Sequence, residues 1–212
     1  MRKITAIKVQ KRNSNRVNIY LDGEYAFGLA RIVAAWLSVG QTLEETKIAE
    51  LLAEDTRERA YQQALLFLSY RARSEKEIRQ NLRKHEIPET VIEETLKRLR
   101  RGGFANDEEF ARAWVENRST FRPRGRRALT VELRQKGLND AIIETVLEQV
   151  DDEALAYAAG KKKARTLQAY EWPDFRKKLT AFLARRGFSY ATIAPLVQQL
   201  WDEAQQAGEH HT

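Results

Sequence analysis

Residues 69–113 read SYRARSEKEIRQNLRKHEIPETVIEETLKRLRRGGFANDEEFARA, and this stretch decides the fold. Ser74 followed by Glu77 has the spacing of a capping box: the serine hydroxyl accepts a backbone N–H of the first helical turn, and the glutamate reaches back. Ile78, Leu82 and, past the helix end, Ile87 are apolar. Pro88 suits a helix start, because its missing N–H is one that a first turn leaves unpaired anyway. Val91, Ile92, Thr95, Leu96 and Leu99 fall on one stripe at the 3.6-residue period, which predicts a second helix. Gly102 and Gly103 end it. Asn106 with Glu109 has the spacing of a second capping box, ahead of Phe110 and Trp114.

The pattern returns. Leu82, Leu133 and Leu183 lie about fifty residues apart, and Ile87, Leu138 and Phe188 follow them at one fixed spacing. A cap or turn residue comes next (Pro88, Asn139, Ser189), then an apolar helix carrying Ile92 and Leu96, Ile143 and Leu147, or Ile193 and Val197. Gly137 and Gly187 occupy equivalent positions. Self-similarity at this period predicts an array of helical repeats. Three repeats of three helices are expected over 56–105, 106–150 and 151–207, preceded by a hairpin and short helices over 1–55 and followed by a frayed tail over 208–212. The expected fold class is mainly α: tandem three-helix repeats in an elongated curved array, with a small N-terminal three-stranded β element.

Outward from that stretch, residues 1–29 have a different period. Val17, Ile19 and Leu21 alternate with Arg16, Asn18 and Tyr20, as in a strand. Asp22-Gly23 is a two-residue hairpin signal, because a type I′ turn needs positive φ at both positions. Tyr25, Phe27 and Leu29 form the return strand, and residues 3–10 supply a third. A two-residue turn places Val17, Ile19 and Leu21 on one face with Glu24, Ala26 and Gly28, and Tyr20, Tyr25 and Phe27 on the other. Short helices are expected over 32–38 and 41–53, the second capped by Thr42. A strongly apolar helix over 56–70 opens the first repeat.

Composition narrows the function. The 212 residues carry a net charge of +7, which favours an acidic or polyanionic partner. With no cysteine, disulfides and thiolate metal sites are excluded, and a reducing compartment suits the chain. No apolar run is long enough to span a membrane, and MRKITAIK lacks the apolar core of a signal peptide, so a cytoplasmic location is expected. Phosphate-binding glycine loops and nucleophile elbows are missing. The three histidines, His85, His210 and His211, suit a helix end and a tail rather than a metal site. Asp107/Glu108 and Asp151/Asp152 stand at helix starts, where the macrodipole favours negative charge. No catalytic residue, metal or cofactor is expected.

Basic clusters alone have functional reach. The densest is RSTFRPRGRR, in which Arg118, Arg122, Arg124, Arg126 and Arg127 surround Phe121 at a Pro/Gly joint. Arginine forks onto carboxylate or phosphate and stacks as well, so this reads as one phosphate- or acid-binding patch. Lys161, Lys162, Lys163 and Arg165 form another cluster, though consecutive lysines on a helix point in different directions. Arg176, Lys177, Arg185 and Arg186 give the last repeat a basic side. Trp114, Trp172 and Trp201 sit at helix-packing spacings and read as core.

Taken together, the run RARSEKEIRQNLRKHEIPETVIEETLKRLRRGGFANDEEFARAWVENR, followed by GRRALTVELRQKGLNDAIIETVL, resembles the RecX family of bacterial regulatory proteins. Arg71, Arg73, Ser74 and Glu75 look like its R-x-R-S-E signature, and Gly103, Phe104, Asp107 and Phe110 like its second signature. IYLDGEYAFGL is similar to its N-terminal hairpin, while Ala105 departs from the family's larger aliphatic residue, which implies a local packing change. The signature residues look mainly architectural. The resemblance implies a non-enzymatic modulator that binds the RecA recombinase, as monomer and as filament on single-stranded DNA, while the lack of a heptad seam leads to the expectation that this chain is itself a monomer. Such a protein restrains filament growth and lowers ATPase, strand-exchange and co-protease activity. The competing reading is a general DNA-binding helical protein with no dedicated protein partner.

Overall fold

Asp22 and Gly23 both take positive φ, 53° and 94°, and this type I′ turn sets the N-terminal sheet. Strands β1 (Arg2–Gln10), β2 (Asn13–Leu21), β3 (Glu24–Ala30) and β4 (Thr42–Leu43) form an antiparallel sheet in the order β3-β2-β1-β4. Ile4, Val17, Ile19, Leu21 and Leu29 make its buried face. The register shifts between Ile19 and Tyr20: Tyr20 pairs with Tyr25, but Ile19 pairs with Phe27. Ala26 is the extra residue of this bulge. It turns Phe27 onto the face of Ile19, against the strict alternation expected from the sequence, and Phe27 packs against the core.

The computed structural model describes residues 1–209, which divide into two compact units, Met1–Ala105 and a second that begins at Asn106. His210 and His211, and the end of the tail expected over 208–212, lie outside the described residues. In the first unit a 3-10 turn (Val33–Trp36) leads through β4 to α1 (Glu45–Ser69), α2 (Glu75–Lys84) and α3 (Glu89–Arg101).

Two expectations fail here for related reasons. Thr42 does not cap a helix, since Thr42 and Leu43 pair with Lys3 and Arg2 as a strand. The two helices expected over 41–53 and 56–70 are one helix of 25 residues, so the division between 55 and 56 falls inside α1. Asp55 and Thr56 resemble a break followed by a cap. Instead, the Thr56 hydroxyl donates back to the Leu52 carbonyl at 2.9 Å. The Asp55 carboxylate, 5% exposed, leaves the helix altogether. It accepts from Arg16 Nη1 at 3.1 Å and Nη2 at 2.9 Å, and from the Ala30 N–H at 2.6 Å. An aspartate in mid-helix is thereby spent on the edge of the sheet.

The second unit holds α4 (Asp107–Phe121), α5 (Arg126–Gln135), α6 (Asp140–Leu147), α7 (Asp152–Ala164), a 3-10 turn (Arg165–Leu167), α8 (Trp172–Arg185) and α9 (Tyr190–Glu209). Pro173 stands in the first turn of α8 rather than breaking the chain before it. Each three-helix repeat has its own apolar cluster. Trp172 and Trp201 pack on the last of these, with the Trp201 ring 5.0 Å from Phe175.

The repeat signature has one physical basis. Leu82, Leu133 and Leu183 are fully buried, and each backbone carbonyl accepts the N–H of the residue five further on: Ile87 at 3.2 Å, Leu138 at 3.2 Å and Phe188 at 3.3 Å. These are Schellman closures, which satisfy a helix-end carbonyl through a residue in the left-handed region. Gly137 (φ 90°) and Gly187 (φ 86°) fill that position in the second and third repeats, and Glu86 (φ 58°) fills it in the first. A non-glycine residue pays for that conformation. Replacing Glu86 with glycine should therefore stabilise the first unit by about 0.5–1 kcal/mol. Leu82→Ala should cost about 2–5 kcal/mol. Denaturant unfolding of both variants checks the pair, and a destabilised Glu86→Gly protein would contradict the assignment.

Candidate partner-binding surface

Around the two glycines that join the second and third repeats, the backbone comes very close. A Cβ on Gly125 would stand 2.5 Å from the Gly187 carbonyl oxygen, and one on Gly187 would stand 2.5 Å from the Ala128 Cβ. The Gly125 N–H donates to the Arg186 carbonyl at 2.9 Å. The arginines of RSTFRPRGRR are built around this joint, and the structure sorts them.

Arg118 and Arg124 are half-buried and paired, and Arg126, though exposed, is bound to the chain. Glu132 of α5 accepts from Trp114 Nε1 at 2.8 Å and Arg118 Nε at 2.8 Å, and its other oxygen lies 2.6 Å from Arg124 Nη1. Arg118 also stacks 4.5 Å over the Trp114 ring. The backbone N–H of Arg126 donates to Asp152 at 2.8 Å, and its side chain donates to the Val150 carbonyl at 2.9 Å, closing the end of the preceding repeat. The expectation of one five-arginine patch is therefore corrected: Arg118 and Arg124 are paired with Glu132, the exposed Arg126 is tied to backbone carbonyls, and Arg122 and Arg127 are exposed with no acidic partner among the described residues.

Arg186 joins Arg122 and Arg124 from α8. Its Nη1 donates to the Pro123 carbonyl at 2.9 Å and its guanidinium lies 4.6 Å from the Phe182 ring. Burial, followed by the neighbouring charges of Arg122 and Arg124, holds its pKa below the usual guanidinium range. Lys161 is anchored by the Tyr157 hydroxyl at 2.8 Å. Lys162, Lys163, Arg165, Arg176, Lys177 and Arg185 have no acidic partner among the described residues, and of these Lys163 alone is half-buried. Sequence reasoning missed Glu132, whose role depends on two arginines and an indole converging from other positions, and it passed over Trp36, which is 89% exposed.

The signature residues are set within the first repeat and at the start of the second. Ser74 is fully buried and, with Glu77, forms the expected capping box on α2. Arg71 braces that box through Glu77 at 3.1 Å, and Arg73 stacks 4.1 Å over Phe67. Glu75 ties α2 to α3 through Arg100 at 2.6 Å. Gly103 takes φ 72° after α3, and Phe104 beside it is exposed. Asn106 caps α4 by accepting from Glu108 and Glu109 N–H groups, rather than through the reciprocal box that the sequence suggests. Asp107 lies in that first turn, and Phe110 is buried 5.8 Å from Trp114. Ala105 is buried in the core of the first repeat.

Comparison with known proteins decides the family. The regulatory protein RecX N-terminal domain matches residues 2–44, and the first, second and third RecX three-helix domains match residues 60–99, 106–147 and 151–196. The chain belongs to the RecX family. Regulatory protein RecX of Bacillus pumilus (strain SAFR-032) is 35% identical over 211 residues, covering 97% of this chain and 80% of its own. Regulatory protein RecX of Bacillus subtilis (strain 168) is 35% identical over 202 residues, covering 93% and 76%. A crystal structure of regulatory protein RecX matches with a TM-score of 0.75 at 31% identity, over 92% of this chain and 98% of that one. The structure of RecX from Lactobacillus salivarius matches with a TM-score of 0.63 at 28% identity, over 69% and 97%. RecX is a family of regulatory proteins. No helix among the described residues is long and apolar enough to cross a membrane.

The division of the arginines has a measurable consequence. Glu132→Ala strands two guanidiniums and an indole N–H and should cost about 1–3 kcal/mol. Arg122→Ala with Arg127→Ala should change stability by no more than about 0.5 kcal/mol. Equal losses in a denaturant titration would overturn the division.

Proposed function

We infer that this RecX family member is a cytoplasmic, monomeric regulator that binds the RecA recombinase and its filament on single-stranded DNA. It restrains filament growth and so lowers ATPase, strand-exchange and co-protease activity. The observation that carries this reading is the family membership across the sheet and all three repeats. The uncompensated cations support it: Arg122, Arg127, Lys162, Arg165, Arg176, Lys177 and Arg185 are exposed and can meet acidic protein surface or filament phosphates. Arg118, Arg124, Arg126, Lys161 and Arg186 position this surface rather than form its contacts. The same cations favour a second reading, a plain DNA-binding helical protein.

Salt separates the two. Backbone binding to single strands weakens with a log–log slope of roughly −0.7 per phosphate contacted. A regulator acts on RecA at salt where its own DNA binding has vanished. RecA's DNA-dependent ATPase, measured while this protein is titrated from far below RecA's concentration, should fall at that salt. Arg122→Ala combined with Arg127→Ala should weaken the inhibition about tenfold, as loss of two interface arginines does. Inhibition that disappears together with DNA binding would favour the second reading.

A further inference from the structure

The first unit carries a groove that the regulatory reading does not use. It has a volume of about 770 Å³ and lies between the start of β2, the end of β3 and α1. Its floor is charge-balanced. Arg16 is held by Asp55 and by the Gly28 carbonyl at 3.0 Å. Glu58, 8% exposed, is held by Arg98 Nη1 at 2.8 Å and accepts from Gln62 Nε2 at 2.7 Å. The walls are not balanced. Arg31 and Arg59 line the groove, are exposed, and have no acidic partner among the described residues. Lys11 and Arg12, in the turn just before β2, add two more exposed cations.

The lip is apolar. Ile32 is 64% exposed and Leu66 is 54% exposed, and both line the groove. Trp36 ends the 3-10 turn that begins beside Ile32. It is the most exposed large hydrophobic residue described, in a chain whose other three tryptophans pack at least partly inside. An exposed tryptophan and unpaired arginines around aliphatic positions have the composition of a protein-interface hot spot. Single-stranded nucleic acid takes successive aromatic platforms along a cationic track. Here the apolar residues of the lining are aliphatic, and Trp36 stands alone beside them.

We propose that this groove docks an acidic, extended segment of a partner protein, with aliphatic side chains seated between Ile32 and Leu66, carboxylates on Arg31 and Arg59, and Trp36 closing over the segment. The side-chain amides of Asn13 and Asn15 stand at the wall to meet its peptide groups. The proposal goes beyond the regulatory reading and does not depend on it, because its test uses neither RecA nor a filament.

The test is fluorescence anisotropy of the full chain with a labelled peptide of alternating glutamate and leucine, run beside a labelled oligothymidylate. The peptide should bind saturably. Arg31→Glu with Arg59→Glu should weaken it about tenfold or more, and Trp36→Ala about fivefold. Lys84→Glu with Lys97→Glu removes the same charge from exposed positions of α2 and α3 and should leave peptide affinity within about twofold. All five positions are on the surface, and circular dichroism verifies the fold of each variant. An equal loss in the Lys84/Lys97 control would reduce the effect to net charge. Absence of saturable peptide binding, or oligothymidylate being the ligand that the groove variants lose, would overturn the proposal.

Discussion

A helix that stops inside a packed repeat leaves carbonyls with nowhere to turn, and this protein closes the second helix of every repeat in the same way. The carbonyls of Leu82, Leu133 and Leu183 each accept an N–H from five residues on, across a residue with positive φ. The closure fixes where the second helix ends and which way the chain leaves. It places Ile87, Leu138 and Phe188 back on the repeat's own core, and from there Pro88, Asn139 and Ser189 start the third helix. Packing depends on this geometry. The leucine that supplies the carbonyl is itself fully buried, so backbone satisfaction and core burial act at a single position.

Charge is used twice, and the two uses separate in space. Inside, carboxylates are matched one by one: Asp55 with Arg16, Glu58 with Arg98, Glu132 with Arg118 and Arg124. These pairs fix how elements meet, since removing one partner would strand the other where solvent cannot compensate. Outside, an excess of arginine and lysine has no acidic counterpart among the described residues. The net charge of +7 is therefore a property of the solvent-facing surface rather than of the joints. Arg126 shows why residue type alone does not reveal which use applies: it sits beside Arg127 in the sequence, yet its guanidinium closes the carbonyl end of a neighbouring segment.

The repeats were legible because helix period, glycine position and cap residues are local signals. Residues 69–113 carry all of them, and the capping box at Ser74 and the stripe through Leu99 appear in the structure as the spacing requires. The continuity of α1 was not legible, because Asp55 breaks helices on average and here is consumed by a strand 39 residues away in sequence. Nor was the bulge at Ala26, which depends on the apolar face of Phe27 finding the core rather than on any turn residue. The arginine-rich joint misled for the same reason. Its partners, Glu132, Val150 and Asp152, belong to α5, the end of the second repeat and the start of the third, and they meet the arginines only in the folded chain. Tertiary pairing decides these features, and no local window contains it.

The central claim is that the three repeats are closed by one device and that the surface cations play no part in it. Native-state hydrogen exchange tests this most directly, by following the backbone amides of Ile87, Leu138 and Phe188 in the unmodified protein and in the Arg122→Ala/Arg127→Ala variant. The account predicts that all three amides exchange among the slowest of their repeats, and that the variant leaves their protection unchanged. Fast exchange at any of them, or protection that falls with the two arginines, would contradict it.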